Sequence, residues 1–151
     1  MKDINGKTKE DIIAQLKEII KQKGLKYTKQ REIIFETILD SDEHLNAEEV
    51  YNTIRANYPD INIGIATVYR ALVFLEEADL ISSVSLNKDG KKFETNFKNH
   101  HDHLICVRCN KIVEFHDDEI EQRQEVAAVT KGFKLVSHTM NLYGVCSDCQ
   151  D

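Results

Sequence analysis

Two pairs of cysteines limit the fold of this chain more than any other feature. They form two Cys-x-x-Cys motifs and are all the cysteines of the sequence: Cys106, Cys109, Cys146 and Cys149. Two such motifs supply the four thiolates of a closed tetrahedral zinc site. Zn(II) bound there joins the end of a C-terminal domain to its beginning and contributes directly to its folding free energy. An iron–sulfur cluster is the alternative for four thiolates, but the two-plus-two arrangement favours zinc.

A cluster of histidines precedes the first cysteine motif. Residues 100–103 comprise three histidines and one aspartate. Side chains alternate between the two faces of a strand, so His101 and His103 would face one way and His100 and Asp102 the other. Two sites of imidazole and carboxylate without thiolate are therefore predicted, and such sites suit Fe(II), Mn(II), Co(II) or Zn(II). The candidates to complete them are Glu94 and Glu114 on the first face, and Glu121 and His138 on the second.

Three helices are predicted in the first 60 residues. Apolar residues recur at helical spacing over residues 9–23, and Gly24 ends that helix. Thr28 is a suitable N-cap for a second helix. Asn46 followed by Glu49 resembles a capping box, which would open a third helix.

A fourth helix is predicted over residues 65–77, with Ile65 on its inward face. Its outward face presents a small side chain, a phenol, a guanidinium and a further apolar side chain, with a threonine at the flank: Ala66, Tyr69, Arg70 and Val73, and Thr67. Such a face suits the major groove of DNA, because arginine reaches guanine edges or phosphate and apolar groups touch thymine methyls. The alternative is an ordinary surface helix.

The segment after the fourth helix favours the DNA-binding interpretation. Strands over residues 81–86 and 91–95 flank a turn at residues 87–90, which contains Asp-Gly. Helices followed by such a hairpin form the order of a winged helix-turn-helix. Lysines at the tip, Lys88, Lys91 and Lys92, would then lie beside the phosphate backbone, or else serve only to keep the surface solvated.

Charge is distributed unevenly along the chain. The net charge of −6 argues against general binding to nucleic acid, but basic residues concentrate around the start of the second helix. The candidates for DNA contact in that region are Lys26, Thr28 and Arg31, and a solvated helix face is the alternative. No apolar run reaches membrane-spanning length and no secretory signal is recognisable, so a cytoplasmic protein without a membrane partner is expected.

Composition shifts at residues 96–99, which predicts two domains over residues 1–95 and 96–151. Beyond the shift, a strand ending at Cys106, a strand over residues 111–115, a helix over residues 118–130 and a strand over residues 133–143 are predicted. The fold class is therefore α+β. About 50 residues are few for independent stability, so this domain needs metal, a partner subunit, or both.

Four motifs occur together in a characteristic order. They are GLKYTKQR at residues 24–31, GIATVYR at residues 64–70, HHDH at residues 100–103, and the two Cys-x-x-Cys pairs. In this combination the chain resembles the ferric uptake regulator (Fur) family over nearly its whole length. The resemblance implies a dimeric, metal-responsive bacterial transcription factor with an N-terminal winged-helix domain and a small α/β dimerisation domain.

The resemblance also implies three metal sites. The structural zinc would bind the four cysteines already named. The regulatory metal would lie between the domains on His44, Glu94, His101, His103 and Glu114. A third site would use His100, Asp102, Glu121 and His138. His44 is a candidate through the resemblance alone, since it otherwise looks like a surface residue.

The function implied is an Fe(II)-dependent repressor of iron-uptake genes that binds a double-stranded operator as a homodimer, with a tetramer left open. Zinc sensors of this family often use an additional cysteine, and none is spare here; peroxide sensors tend to have aspartate where Glu114 stands. Both comparisons favour iron, although Mn(II) or Zn(II) can substitute. The competing classes are a metallohydrolase and a zinc-ribbon interaction module. The chain lacks a His-Glu-x-x-His helix, so no catalytic residue is predicted.

Overall fold

Four helices and a hairpin form the first of two compact units. The computed structural model describes residues 6–86 and 90–151. By its contacts the chain divides into one unit that ends at Asn99 and a second, His100–Asp151. The helices of the first unit are α1 (Lys9–Gln22), α2 (Lys29–Asp40), α3 (Ala47–Asn57) and α4 (Ile65–Glu77).

The starts of α2 and α3 are fixed by side-chain caps. Thr28 Oγ1 accepts a hydrogen bond from the backbone N–H of Arg31. Asn46 and Glu49 exchange side-chain and backbone hydrogen bonds in a capping box. Each cap satisfies N–H groups that have no partner inside the helix, which explains why the helices begin there. The predicted helix starts at both positions are confirmed.

The core of the first unit lies between α1, α2, α3 and α4. Its buried side chains include Leu16, Phe35, Val50 and Leu72, one from each helix. Ile65 was predicted to face inward, but it is 37% exposed. It occupies the first position of α4, one turn before Val68, which is the first buried residue of that helix.

The hairpin comprises β1 (Ile81–Ser85) and β2 (Lys91–Thr95), paired antiparallel with Ile81 opposite Thr95. The predicted turn residues Asn87, Lys88 and Asp89 lie outside the described residues. An isolated bridge joins Leu45, between α2 and α3, to Phe93 on β2 through two backbone hydrogen bonds. The bridge brings the chain around His44 alongside the end of the hairpin.

The second unit contains one helix and a three-stranded sheet. Its elements are β3 (Asp102–Cys106), β4 (Ile112–Phe115), α5 (Asp118–Thr130), β5 (Asn141–Gly144) and a 3-10 turn at Ser147–Cys149. The sheet order is β4-β3-β5, with β3 antiparallel to β4 and parallel to β5. A helical unit with a hairpin, followed by a small α/β unit, confirms the predicted α+β class.

The last predicted strand is wrong in extent. Residues 133–143 were expected to be continuous strand, but β5 contains only Asn141–Gly144. β3 already has β4 and β5 as its two neighbours. Residues 133–140 form no strand in the described chain, because alternation of apolar and polar residues cannot by itself form a ladder.

The second unit has little apolar interior. Among its residues, only Ile105 and Cys106 are buried hydrophobic side chains, and α5 buries no residue. Leu104, Val113 and Leu142 are adjacent across the sheet, and all three are exposed. The unit therefore depends on interactions other than its own core. In the part of the chain that is described, no helix is sufficiently long and apolar to cross a membrane.

Candidate metal centres and nucleic-acid interface

The four cysteines converge at one end of the sheet in the second unit. Cys106 ends β3 and Cys109 follows in the turn, while Cys146 precedes the 3-10 turn after β5 and Cys149 ends it. All four Sγ atoms lie within 4.8 Å of one another, and those of Cys109 and Cys146 are 3.8 Å apart. A tetrahedron with Zn–S bonds of ~2.3 Å has edges of about 3.8 Å, so the cluster has the size of a tetrathiolate zinc site.

The acidities of these thiols indicate that the cluster needs a cation. The backbone N–H of Cys146 donates to Cys106 Sγ at 3.4 Å, and it is the main reason why the pKa of Cys106 falls to about 6. The neighbouring thiols of Cys146 and Cys109 raise the pKa of Cys149 to about 12. Four thiolates cannot all be ionised so close together without positive charge, which a bound Zn(II) supplies.

A second cluster in this unit joins three elements. His100 precedes β3, Asp102 begins it, Glu121 lies on α5, and His138 lies before β5. The four ligand atoms lie within 4.8 Å of one another. His138 Nε2 is 3.4 Å from Asp102 Oδ1, 3.2 Å from Glu121 Oε1 and 2.8 Å from His100 Nε2.

This cluster fits a metal ion better than it fits a metal-free hydrogen-bond network. Asp102 is 1% exposed, yet neither of its carboxylate oxygens has a hydrogen-bond partner, and Glu121 Oε1 is likewise buried without one. Buried carboxylate oxygens without donors are costly. Ligands at ~2.1 Å from a tetrahedral metal are separated by about 3.4 Å, close to the distances from His138 Nε2 to Asp102 and Glu121. The strand begins only at Asp102, yet His100 still groups with Asp102 as alternation predicts.

His44 and Glu94 form a buried pair in the first unit. His44 Nε2 is 2.7 Å from Glu94 Oε2, and both residues are buried. The Leu45–Phe93 bridge explains the contact, since each partner of the bridge is the chain neighbour of one member of the pair. Glu94 was a candidate from the sequence, whereas His44 carries no local signal, because its proximity depends on a bridge between residues 48 positions apart.

His101, His103 and Glu114 group together in the second unit. His103 and Glu114 are opposite each other across β3 and β4. His101 Nε2 is 3.4 Å from Glu114 Oε1, and the two imidazole rings have centroids 4.8 Å apart. Two imidazoles and a carboxylate make a set that suits Fe(II), Mn(II) or Zn(II).

Two amide oxygens beside these groups were not predicted. Asn141 is the register partner of His103 on the parallel strand, and Gln124 follows Glu121 by one turn of α5. Asn141 Oδ1 and Gln124 Oε1 are buried and have no hydrogen-bond partner. Metal-bound imidazoles commonly donate their second N–H to an acceptor of this kind. Asparagine and glutamine are ordinary surface residues, so the sequence gives no signal for either.

The outward face of α4 is accessible for binding. Ala66, Tyr69 and Arg70 are exposed, with Tyr69 at 53%. Arg70 Nη2 donates to Thr67 Oγ1 at 3.3 Å, which holds the guanidinium over the first half of the helix. The face thus presents a phenol and a guanidinium side by side, and a guanidinium is a group that can pair with guanine edges.

The other candidate DNA contacts have structural partners within the first unit. Thr28 caps α2. The Arg31 guanidinium donates to the carbonyl of Lys26 at 2.6 Å and stacks 5.1 Å from the centroid of the Phe74 ring. Lys91 Nζ is 3.6 Å from Glu76 Oε1. Lys26 differs from them. Its side chain is exposed and forms no ion pair with any of the described residues.

Comparison with known proteins gives consistent matches over most of the chain. The model of the ferric uptake regulator family matches residues 22–143. A ferric uptake regulation protein of Campylobacter jejuni is 49% identical over 140 residues, which are 93% of this chain and 89% of that protein.

Solved structures agree with the sequence comparison. The Helicobacter pylori ferric uptake regulator, whose structure reveals three functional metal binding sites, has a TM-score of 0.88 at 41% identity and covers 100% of this chain and 98% of its own. The Francisella tularensis ferric uptake regulator with iron has a TM-score of 0.74 at 34% identity, covering 85% of this chain and 96% of its own.

Proposed function

Since this chain belongs to the ferric uptake regulator family, which comprises metal-binding transcription regulators and not enzymes, we propose that Fe(II) controls its binding to operator DNA. The regulator would act chiefly as a repressor of iron-uptake genes, in the cytoplasm where the DNA is. A protein of this family in Francisella tularensis has been solved with iron, which supports the choice of metal. All four cysteines belong to one cluster, so no thiolate is left to favour zinc sensing.

The observation that carries this proposal is that each unit holds part of a ligand set. The first unit supplies the buried His44–Glu94 pair, and the second supplies His101, His103 and Glu114. The His44–Glu94 pair alone offers too few ligands for a metal site of the usual coordination number. The three ligands of the second unit would leave coordination positions open. We propose that one regulatory ion takes ligands from both sets.

The ligand residues then determine the DNA-competent geometry. A bound Fe(II) supplies the positive charge that allows two carboxylates and three imidazoles to converge. His44 and Glu94 are fixed to the helical unit that carries α4 by the Leu45–Phe93 bridge. When these residues share an ion with the second unit, the orientation of α4 becomes fixed relative to it. Metal binding and operator binding are then thermodynamically linked, each strengthening the other by the same factor.

We further propose that the protein acts as a homodimer, with a tetramer left open. Members of the family are DNA-binding regulators that function as dimers. The second unit is suited to this role, since Leu104, Val113 and Leu142 form an exposed apolar strip and α5 buries no residue. A two-fold dimer presents two α4 helices to the two half-sites of a palindromic operator.

The remaining sites complete the assignment. We assign Zn(II) to the four cysteines as a structural ion, because the 3.8 Å spacing between Sγ atoms matches a tetrathiolate site. Ala66, Thr67, Tyr69 and Arg70 would lie in the major groove. Backbone contacts would come from Lys26, Thr28, Arg31 and Lys91, of which Arg31 also has the structural contacts described above.

The test is DNA binding as a function of metal under anaerobic conditions. A binding sequence is first selected from random duplexes with Fe(II)-loaded protein, and its affinity is then measured with Fe(II), Mn(II) and Zn(II). Protein with only its cysteine site filled should bind at least ten-fold more weakly than protein saturated with Fe(II). His101→Ala should lose this dependence, whereas His116→Ala, which removes an exposed histidine paired with Asp118, should keep it.

Equal affinity of the zinc-only and Fe(II)-saturated proteins would refute the regulatory proposal. Salt dependence separates the remaining classes, because a DNA regulator loses affinity steeply as salt rises. A zinc-ribbon interaction module or a metallohydrolase would show no selected sequence at all.

A further inference from the structure

His103 lies in a row of polar side chains that crosses the sheet of the second unit. Its register partner on β4 is Glu114, and its register partner on β5 is Asn141. The backbone N–H of His103 donates to the carbonyl of Met140 at 3.2 Å, which helps to fix the register with β5. Register partners project from the same face of a sheet, on strands about 4.8 Å apart. The imidazole of His103 is therefore flanked by a carboxylate on one side and by an amide on the other.

The amide of Asn141 has an acceptor that is not used. Its Oδ1 atom is buried and accepts no hydrogen bond from any of the described residues. A buried acceptor without a donor is costly, so a folded protein rarely keeps one without a reason. The imidazole beside it in the row carries a ring N–H, which is a donor of the kind that this oxygen lacks.

The covalent structures of the two side chains match. Oδ1 of an asparagine and Nδ1 of a histidine are each two bonds from Cβ, so register partners bring these atoms to about the same height above the sheet. A histidine that donates its Nδ1–H keeps the lone pair of Nε2 for a metal ion. The place of Asn141 beside His103 therefore selects the tautomer that a ligand histidine needs.

We propose that Asn141 is a positioning residue of the regulatory site, whose amide oxygen accepts the Nδ1–H of His103 and so sets how tightly the site binds metal. This inference rests on the proposed function, in which His103 is a ligand of the regulatory ion. An acceptor on the second nitrogen holds the ring in one tautomer and one orientation, and it makes the ligand nitrogen more basic. A neutral amide does this less strongly than a carboxylate, which gives the site an intermediate affinity.

Two substitutions at Asn141 should change the metal affinity in opposite directions. Asn141→Leu keeps the approximate volume but removes the acceptor, so binding should weaken about 10- to 100-fold. Asn141→Asp keeps the acceptor and adds a negative charge near the cation, so binding should tighten about three- to ten-fold. A residue that only supported the strand would weaken binding in both variants.

The experiment isolates the regulatory ligands of the second unit within the whole chain. The reference protein has Zn(II) in its cysteine site and carries Glu121→Ala and His138→Ala, which leave only two ligands of the third site. Co(II) is titrated under anaerobic conditions, and its d–d absorption measures binding to imidazole and carboxylate.

Both Asn141 variants are made in this reference protein, together with a matched control. The control is Tyr143→Phe, which removes a hydroxyl from the same strand and the same face, two residues from Asn141. Tyr143 is 48% exposed, and its register partner is Ile105 rather than His103. Its substitution should leave the Co(II) affinity unchanged.

A second measurement detects the hydrogen bond directly. With Zn(II) also in the regulatory site of the reference protein, proton NMR should show a ring N–H of His103 that exchanges slowly with water. Its assignment is checked by its absence from the His103→Ala protein. The signal should persist in Asn141→Asp and should be lost by rapid exchange in Asn141→Leu.

Three results would each overturn the inference and leave the regulatory site standing. One is equal Co(II) affinity in the reference protein and both variants. Another is weaker binding in both variants with the protected His103 N–H retained in Asn141→Leu, which would give Asn141 a role in supporting the strand only. The third is weaker binding in Asn141→Leu with no protected N–H in the reference protein, which would show that the amide binds the ion itself. A reference protein that binds no Co(II) would overturn the regulatory site as well.

Discussion

Replacing Cys106 by alanine is expected to unfold the second unit while the first unit remains folded. The substitution leaves three thiolates where four lie within 4.8 Å of one another. It also removes the ligand that ends β3, the central strand of the sheet. A closed tetrahedral site cannot form without it, so the zinc that joins β3 to the end of the chain is lost or weakly held.

The magnitude follows from the burial in each unit. Ile105, at 2% exposure, is the one fully aliphatic side chain buried in the second unit. Burial of one such side chain contributes about 1.5–3 kcal/mol. Fixing the backbone of a single residue costs about 1–2 kcal/mol, so this burial offsets the ordering of only two residues or so. Structural zinc contributes about 10–16 kcal/mol in zinc-finger peptides, which exceeds the net stability of many whole domains.

The assay combines zinc content with amide hydrogen exchange. Cys106→Ala protein should retain well under one equivalent of zinc, and the amides of β3, β4 and β5 should exchange at rates near those of an unfolded chain. Amides of α1 and α2, whose buried residues include Leu16 and Phe35, should stay protected. Val107→Ala is the matched control, because Val107 is exposed and adjoins the same cysteine motif.

Retention of one equivalent of zinc with full protection of β3, β4 and β5 would contradict this reasoning. That result would show that three thiolates suffice, or that association between copies supplies the missing stability. Measuring exchange over a range of protein concentrations distinguishes the two, because only stabilisation by association depends on concentration.

Three further predictions concern the other features. Arg70→Ala should weaken binding to the selected DNA about 5- to 150-fold, or about 1–3 kcal/mol, in fluorescence anisotropy, with metal content unchanged. Asp102→Asn should leave the thermal midpoint of the metal-free protein unchanged or higher, because it removes a buried charge. In calorimetry, Mn(II) at 100 times its dissociation constant should stabilise the wild type by ~2.7 kcal/mol and should not stabilise the variant through this site. The hydrogen bond to Asp40 raises the pKa of Lys9 above its ordinary value of 10.5. The charged ammonium therefore stabilises the fold fully below pH 10.5, and this contribution is lost as pH rises through the raised pKa. Lys9→Gln should therefore cost at most about 1 kcal/mol at pH 7 in denaturant unfolding, and the difference should shrink above pH 10.5.

Local patterns determined most of the helical unit. Thr28 and the Asn46–Glu49 pair place helix starts because a cap acts within one turn of chain. The predicted range of α4, residues 65–77, is confirmed because its apolar period is read from adjacent turns. The side-chain alternation around Asp102 likewise depends only on neighbouring residues, and His101 and His103 do group apart from His100 and Asp102.

Features that depend on distant residues were decided by the tertiary structure. His44 meets Glu94 only because Leu45 pairs with Phe93, and no pattern near His44 announces that bridge. Gln124 and Asn141 are ordinary residues in the sequence, and only the tertiary structure shows that their amide oxygens are buried without a hydrogen-bond partner. Residues 133–140 have the composition of a strand, but a strand requires a neighbour. Sequence specifies the side chains that a strand would present, whereas the presence of a partner to hydrogen-bond its backbone depends on how the whole chain is arranged.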